Sequence, residues 1–328
     1  MRVVIIGGGS WGTALSLVLA RQGHEAIILT HTKDAAAGLQ KHRENLQYLP
    51  GFAFPDSLTV AGPDSQLPEA DFAVVAVPTS VVPENLIHLA QFPVICVASK
   101  GLDPETGRVL SEVVQDSYPN KILAALSGPN LAVELARGIP TAAVCASNNE
   151  EAALLVRSAF SCSSYRVYIS DDMKGVELAG ALKNVIAIGA GMSDGMGFGD
   201  NTKGAFLARG LSEMTKLGVA LGARMETFLG LAGVGDLFAT AASTLSRNYR
   251  VGYAIGQGQS LQQAVDSLGQ VAEGVPTSDV VLMLASKVGV EVPLMETLHS
   301  VMHGKMGVKE GLSRLMERQT LRETGVPN

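Results

Sequence analysis

One lysine in this chain has surroundings unlike those of any other. Lys183 lies in the stretch Lys174–Ala205, whose first half carries Val176, Leu178, Leu182, Val185, Ile186 and Ile188. Apolar residues running nearly all the way round mark a helix buried between other elements. Three and four positions away stand Gly180, Ala179 and Ala187, so the helix face around the amine is small, and Asn184 lies beside it. Such a lysine can lay its stem on apolar surface and reach water with its head. It can equally serve as an acid and base: burial and a nearby cation, Lys100 or Lys203, would lower its pKa from about 10.4 towards neutrality, where proton transfer is most effective. The second half, GMSDGMGFGDNTKGA, reads as glycine-rich polar backbone just past the helix.

Two further clusters place polar groups in small, apolar surroundings. Ser246-Arg247-Asn248 offers hydroxyl, guanidinium and amide donors at a helix start, a receptor suited to a phosphate. Asp236, in Gly233-Val234-Gly235-Asp236-Leu237, is either a helix cap or a group that orients the lysine or a substrate hydroxyl. Near the N-terminus Gly7, Gly9 and Gly12 form G-x-G-x-x-G between the apolar run VVII and a helical pattern over Thr13–Arg21. A second strand, Ala26–Leu29, completes a βαβ unit, the setting in which that motif binds a dinucleotide pyrophosphate at the helix N-terminus.

The elements that must position these groups change character along the chain. Up to Asp171 strands alternate with helices: a helix near Lys33–Gln40, an aromatic and Pro/Gly-rich loop NLQYLPGFAFPDS, then strands at Phe72–Val77, Val94–Ala98, Ile122–Leu126, Thr141–Ala146 and Tyr165–Tyr168. Their ends, Val77-Pro78-Thr79-Ser80, Ser99-Lys100-Gly101 and Ser127-Gly128-Pro129-Asn130, fall where ligands bind in such sheets, and the last carries N-capping residues for a following helix. From Lys174 onward the periodicity is helical. The expected architecture is α/β: a Rossmann-type doubly wound sheet over residues 1–172, then an all-α domain over 173–328.

Composition narrows the classes. The 328 residues are 47% hydrophobic and 17% charged, with net charge −6, which argues against a general nucleic-acid binder. Cys96, Cys145 and Cys162 are widely spaced and suit a reducing compartment. No apolar run approaches the roughly 20 residues that span a bilayer, and three glycines interrupt a signal-peptide reading of the N-terminus. A soluble, cytoplasmic protein is expected. The sequence has no His/Cys/carboxylate cluster at ligand spacing, so no metal is expected.

Together GGGSWGTALS, the YLPG loop, SKGL, SGPN, ELAGALKNVIAIGAGMSDG with GDNTKGA, AGVGDL, SRN and GQVAEGVPT cover nearly the whole chain. In them the sequence resembles the bacterial-type NAD(P)-dependent glycerol-3-phosphate dehydrogenases. The resemblance implies interconversion of sn-glycerol 3-phosphate and dihydroxyacetone phosphate for phospholipid synthesis, with Lys183 as the catalytic acid/base. It implies substrate contacts at Lys100, Gly128, Asn130, Lys183, Asp236, Ser246, Arg247 and Asn248. Cofactor contacts would fall on Ser10, Trp11, His31, Tyr48, Lys100, Ala132, Arg247, Val271 and Glu273, beside the three glycines. A Ser or Thr is the commoner residue in the family at position 130. Two other readings are a dehydrogenase of a 3-hydroxy acid and a non-catalytic NAD(P)-sensing regulator. A homodimer through the helical domain is a family-level expectation. The second strand ends Leu29-Thr30-His31-Thr32-Lys33 with no acid before Asp34. The carboxylate that would repel a 2′-phosphate is therefore missing, and NADP or NAD should serve, with NADPH modestly preferred.

Overall fold

The computed structural model describes residues 1–317. Among the described residues ten strands occur: β1 (Arg2–Ile6), β2 (Glu25–Leu29), β3 (Glu44–Asn45), β4 (Leu49–Ala53), β5 (Leu58–Ala61), β6 (Phe72–Val75), β7 (Val94–Val97), β8 (Ile122–Ser127), β9 (Thr141–Ala146) and β10 (Tyr165–Ser170). Eight of them form one sheet in the order β10-β9-β8-β7-β6-β1-β2-β5. The run VVII alternates between two cores. Val3 and Ile5 pack on one face with Leu15 and Leu17, and Val4 and Ile6 on the other with Val75 and Ile95. Burial on both faces is why these strands read as unbroken apolar runs.

Helices α1 (Ser10–Arg21), α2 (Lys33–His42), α3 (Val82–Asn85), α4 (Leu110–Ser117), α5 (Ala132–Arg137) and α6 (Glu150–Phe160) flank the sheet. All pairings within the eight-stranded sheet are parallel except β8 with β9. Between those two strands the chain passes through α5, six residues long, and β9 returns antiparallel. The stretch expected as an aromatic loop instead contains β3 and β4, a small antiparallel hairpin. Asn45 ties it to the glycine turn, its amide donating to Gly8 O (2.9 Å) and Thr13 Oγ1 (2.8 Å).

The remaining helices are α7 (Met173–Gly195), α8 (Asp200–Ala220), α9 (Met225–Leu229), α10 (Asp236–Ala241), α11 (Arg247–Gly256), α12 (Leu261–Leu268), α13 (Gly274–Val288), α14 (Pro293–Met302) and α15 (Val308–Met316). The centre is α7, and here the expectation of glycine-rich polar backbone past the helix from Gly191 fails in its first part. The helix runs on to Gly195 and α8 starts at Asp200. Its glycines are packing surfaces. A Cβ on Gly191 would strike the Tyr249 carbonyl, one on Gly252 the Ile188 carbonyl, and one on Gly195 the Tyr253 carbonyl. Helices α7 and α11 therefore cross backbone to backbone. At 23 residues α7 is long and apolar enough to cross a bilayer, which corrects the expectation that no run approaches that length; its apolar window is entirely buried within the protein.

The crossing makes a prediction. Gly252→Ala should destabilise the fold by about 3 kcal/mol or more, at or above the upper end for overpacking, because the obstacle is backbone. Gly204→Ala, in α8 with open space around it, should be neutral or stabilising by up to about 1 kcal/mol. Chemical denaturation of the two variants checks the contrast.

Candidate active site

Parallel strands bring the ends of β1, β6, β7 and β8 to one edge of the sheet, and α7 lies against that edge. The glycine turn is built as its spacing requires. Gly7 holds φ +120°, and a Cβ at Gly12 would collide with the Gly7 carbonyl. A Cβ on Gly9 would meet nothing within 4 Å, so the middle glycine faces open space. No side chain caps α1 there, which leaves the backbone N–H groups around Ser10 and Trp11 for an anion. Turn, gap and uncapped helix start fit a pyrophosphate.

Lys183 is 5% exposed. Its amine donates to Thr240 Oγ1 (2.6 Å) and to Asp236 Oδ1 (3.1 Å), while Lys100 Nζ takes the other carboxylate oxygen, Oδ2, at 2.8 Å. Thr240 in turn donates to Asp236 Oδ1 (3.1 Å). A single π turn, Leu231–Gly235, leads into α10 and delivers Asp236 as its first residue, one helical turn from Thr240. Lys100 also donates to Gly128 O (2.8 Å) and stands 5.9 Å from the centre of the Trp11 ring, whose indole N–H is held by Ala98 O. Gly180 provides the small floor inferred around the amine: the Lys100 stem and Ser127 Oγ close over it, and Ser127 Oγ has no hydrogen-bond partner among the described residues.

Burial pushes the Lys183 amine down from 10.5 to about 8; Asp236 opposes this, and the Lys100 and Arg247 charges assist it. The shift amounts to roughly 3 kcal/mol between the two protonation states. Lys203, one of the two cations expected beside Lys183, is elsewhere engaged, donating to Asp194 Oδ2 (2.6 Å). Arg247 takes that place. Its guanidinium makes no hydrogen bond or ion pair among the described residues, and burial pulls it below its ordinary pKa, with Glu273 opposing. A half-buried guanidinium without a partner is a receptor for an anion.

The other expected site residues divide into two groups. Ser246 caps α11, accepting from Tyr249 N (3.2 Å), which leaves its proton for a ligand. Asn248 is drawn into a relay: Gly274 N donates to Asn248 Oδ1 (2.9 Å), Asn248 Nδ2 to Asn184 Oδ1 (2.8 Å), and Asn184 Nδ2 to Lys100 O (3.1 Å). Glu273 reaches across to the sheet and accepts from Thr79 N (3.0 Å) and Oγ1 (2.7 Å). Asn130 does not cap α5. Its amide donates to Ala142 O (3.0 Å) and accepts from the Tyr165 hydroxyl (3.3 Å), so both ends are occupied. Gly128 (φ +137°) lies against Ala143, where a Cβ would come within 2.9 Å of Cα. His31, half-buried Tyr48, Ala132 and exposed Val271 share no hydrogen bond with the lysine cluster. Lys33 pairs with Asp64 (2.8 Å), and the Thr30 hydroxyl is spent on Thr32 O and Ala61 O. The sequence reading missed Thr240 and Asn45. Thr240 was detectable as the i+4 partner of Asp236; Asn45 carried no signal in a stretch read as loop. It also missed a ligand-like cluster, Asp279 with His299 and His303.

A doubly wound sheet with a dinucleotide turn, sealed by a buried helix that presents a lysine of lowered pKa, defines a nicotinamide-dependent oxidoreductase. The family models for the NAD-dependent glycerol-3-phosphate dehydrogenase N-terminus and C-terminus match residues 2–153 and 172–313. Glycerol-3-phosphate dehydrogenase [NAD(P)+] of Pseudoalteromonas translucida is 43% identical, with 97% of each chain covered, and that of Vibrio cholerae is 45% identical over 92% of this chain and 90% of its own. The crystal structure of the Coxiella burnetii glycerol-3-phosphate dehydrogenase superposes with a TM-score of 0.92 at 36% identity, covering 97% of this chain and 99% of that one. The chain belongs to the NAD-dependent glycerol-3-phosphate dehydrogenase family.

The shared carboxylate sets the titration of the lysine. In Asp236→Asn the attraction that opposes the fall is gone, so the Lys183 amine should titrate below about 8. The pH dependence of Lys183 acetylation, followed by mass spectrometry, checks this; an unchanged or higher midpoint would show that Asp236 does not hold the charge.

Proposed function

We propose that this protein interconverts sn-glycerol 3-phosphate and dihydroxyacetone phosphate with NAD(P)(H), supplying glycerol 3-phosphate for phospholipid synthesis. The observation that carries the reading is the pairing of a proton donor near neutrality, Lys183 at about 8, with a partnerless guanidinium on Arg247. One suits a carbonyl, the other a phosphate. In this reading residues 1–172 hold the dinucleotide and 173–328 the substrate, and the protein works in the cytoplasm as a homodimer.

The nicotinamide supplies or accepts the hydride when it is bound. The chain's residues do the rest. Gly7, Gly9, Gly12, Ser10 and Trp11 would hold the pyrophosphate, with His31, Tyr48, Ala132, Val271 and Glu273 along the remainder of the cofactor. Arg247 and the Ser246 hydroxyl, with Asn248, fix the substrate phosphate. Gly128 and Asn130 border the substrate; with the Asn130 amide already engaged, its backbone N–H is the available contact. As the carbonyl of dihydroxyacetone phosphate becomes an alkoxide, Lys183 Nζ delivers a proton to that oxygen. In the reverse direction neutral Lys183 removes the hydroxyl proton. Lys100 adds positive charge beside the developing oxyanion, and Asp236 and Thr240 fix both amines.

Turnover of dihydroxyacetone phosphate against small 3-oxo acids tests the substrate class; preferential use of an unphosphorylated 3-oxo acid would overturn it. Arg247→Ala should weaken the phosphorylated substrate by about tenfold to a hundredfold, the 1.5–3 kcal/mol of a charge-assisted contact, and leave unphosphorylated dihydroxyacetone nearly unaffected. Equal losses on both would remove Arg247 as the phosphate receptor.

For the cofactor, we infer acceptance of both forms with a modest preference for NADPH. The sequence has no acidic residue between the end of β2 and Asp34, while His31 is exposed and Lys33 is held only by a surface pair with Asp64 that a phosphate can displace. No arginine lies between Leu29 and His42, and Arg43, just past α2, is committed to Leu58 O, Phe54 O and Pro55 O, which leaves the weaker, less directional lysine for a phosphate. The kcat/KM ratio for NADPH over NADH should exceed one and fall in a His31→Ala/Lys33→Ala double variant. A preference for NADH, or an unmoved ratio, contradicts this.

A further inference from the structure

The proposed mechanism uses none of the groups at the junction of α13 and α14. There Asp279, from α13, meets His299 of α14 and His303, which directly follows α14. The two histidines are four residues apart, so their rings project from one helix face; the ring centres are 4.3 Å apart. Both Nε2 atoms turn to the same oxygen, Asp279 Oδ1, at 2.8 Å and 3.3 Å. The three atoms lie within 4.8 Å of one another.

We propose that these residues form a binding site for a borderline divalent transition-metal cation, with Zn2+ the representative ion. Bonds of about 2.0–2.2 Å in a tetrahedron place ligand atoms roughly 3.3 Å apart; the His303–Asp279 spacing already matches, and Asp279 Oδ1 must draw back slightly from His299 to admit the ion. Two imidazoles and one carboxylate are a donor set suited to Zn2+, Ni2+ or Cu2+ and not to Mg2+ or Ca2+, which take oxygen ligands. The site is open on one side: His299 is 12% exposed, His303 33% and Asp279 58% in their side chains, leaving a fourth position to water. Bound metal would clamp α13 to the end of α14. Since α13 begins at Gly274, next to Glu273, the clamp acts on the helix that carries the ties to Asn248 and Thr79.

The test is Zn2+ titration of the chelator-treated full-length protein by calorimetry, with thermal melts and 1H NMR of the histidine rings. One Zn2+ should bind per chain, raise the melting midpoint, and shift the ring signals of His299 and His303 but not those of His24, His31, His42 or His88. His303→Gln and Asp279→Asn, both surface changes, should each weaken binding at least about tenfold, the lower bound for losing even a group that supports a ligand. Equal affinity in wild type and His303→Gln, Mg2+ binding as tightly as Zn2+, or shifts confined to other histidines would each overturn the site. The NMR result on the unaltered chain decides the matter even if a variant misfolds.

Discussion

One carboxylate holds the two halves of this protein in working register. Asp236, 1% exposed, is gripped by Lys100 from the sheet edge and by Lys183 from α7. The buried Lys183 ammonium and the half-buried Lys100 ammonium share a single negative charge, and the Arg247 guanidinium adds a third positive charge with no hydrogen bond or ion pair among the described residues. The seam thus carries a surplus of positive charge in a place where water is scarce. Such a surplus is costly alone and would become favourable on binding a phosphate, which the proposed substrate supplies.

The same arrangement explains why the lysine is poised and not simply neutralised. Burial alone would push Lys183 down further; Asp236 limits the fall; Lys100 and Arg247 restore part of it. Thr240 accepts from the amine and donates to the carboxylate, which fixes the direction of both. The amide relay from Gly274 through Asn248 and Asn184 to the Lys100 carbonyl, with the Glu273–Thr79 contact beside it, then ties the helical part to the strand ends. Position and protonation are set by one connected network.

Much of this was legible in the residues. The glycine turn, the sheet and the all-round apolar helix announce themselves because close backbone approach and two-sided burial leave few residue choices. Lys183, Asp236 and Arg247 stood out as charges in small, apolar surroundings. The rest was hidden for physical reasons. Glycines 191 and 195 look the same whether they loosen a loop or let two helices touch, and only the position of α11 decides. Thr240 is a common residue whose meaning comes from the turn it shares with Asp236. Asn130 was expected to face a ligand, yet β9 and Tyr165 claim its amide. The Asp279–His299–His303 group depends on how α13 and α14 meet, although the four-residue spacing of the histidines was a cue in the sequence itself.

The central claim is that Lys183 moves the proton. The most direct measurement is the pH profile of dihydroxyacetone phosphate reduction, in wild type and in Lys183→Ala. A protonated amine is required for reduction, so kcat/KM should be flat below about pH 8 and fall as pH rises through it; the reverse oxidation should rise over the same range. Lys183→Ala should lose that alkaline limb and about two to four orders of magnitude in kcat, while still binding the dinucleotide. If the variant kept more than about a tenth of wild-type turnover, or the alkaline limb stayed in place without the lysine, the account would be contradicted.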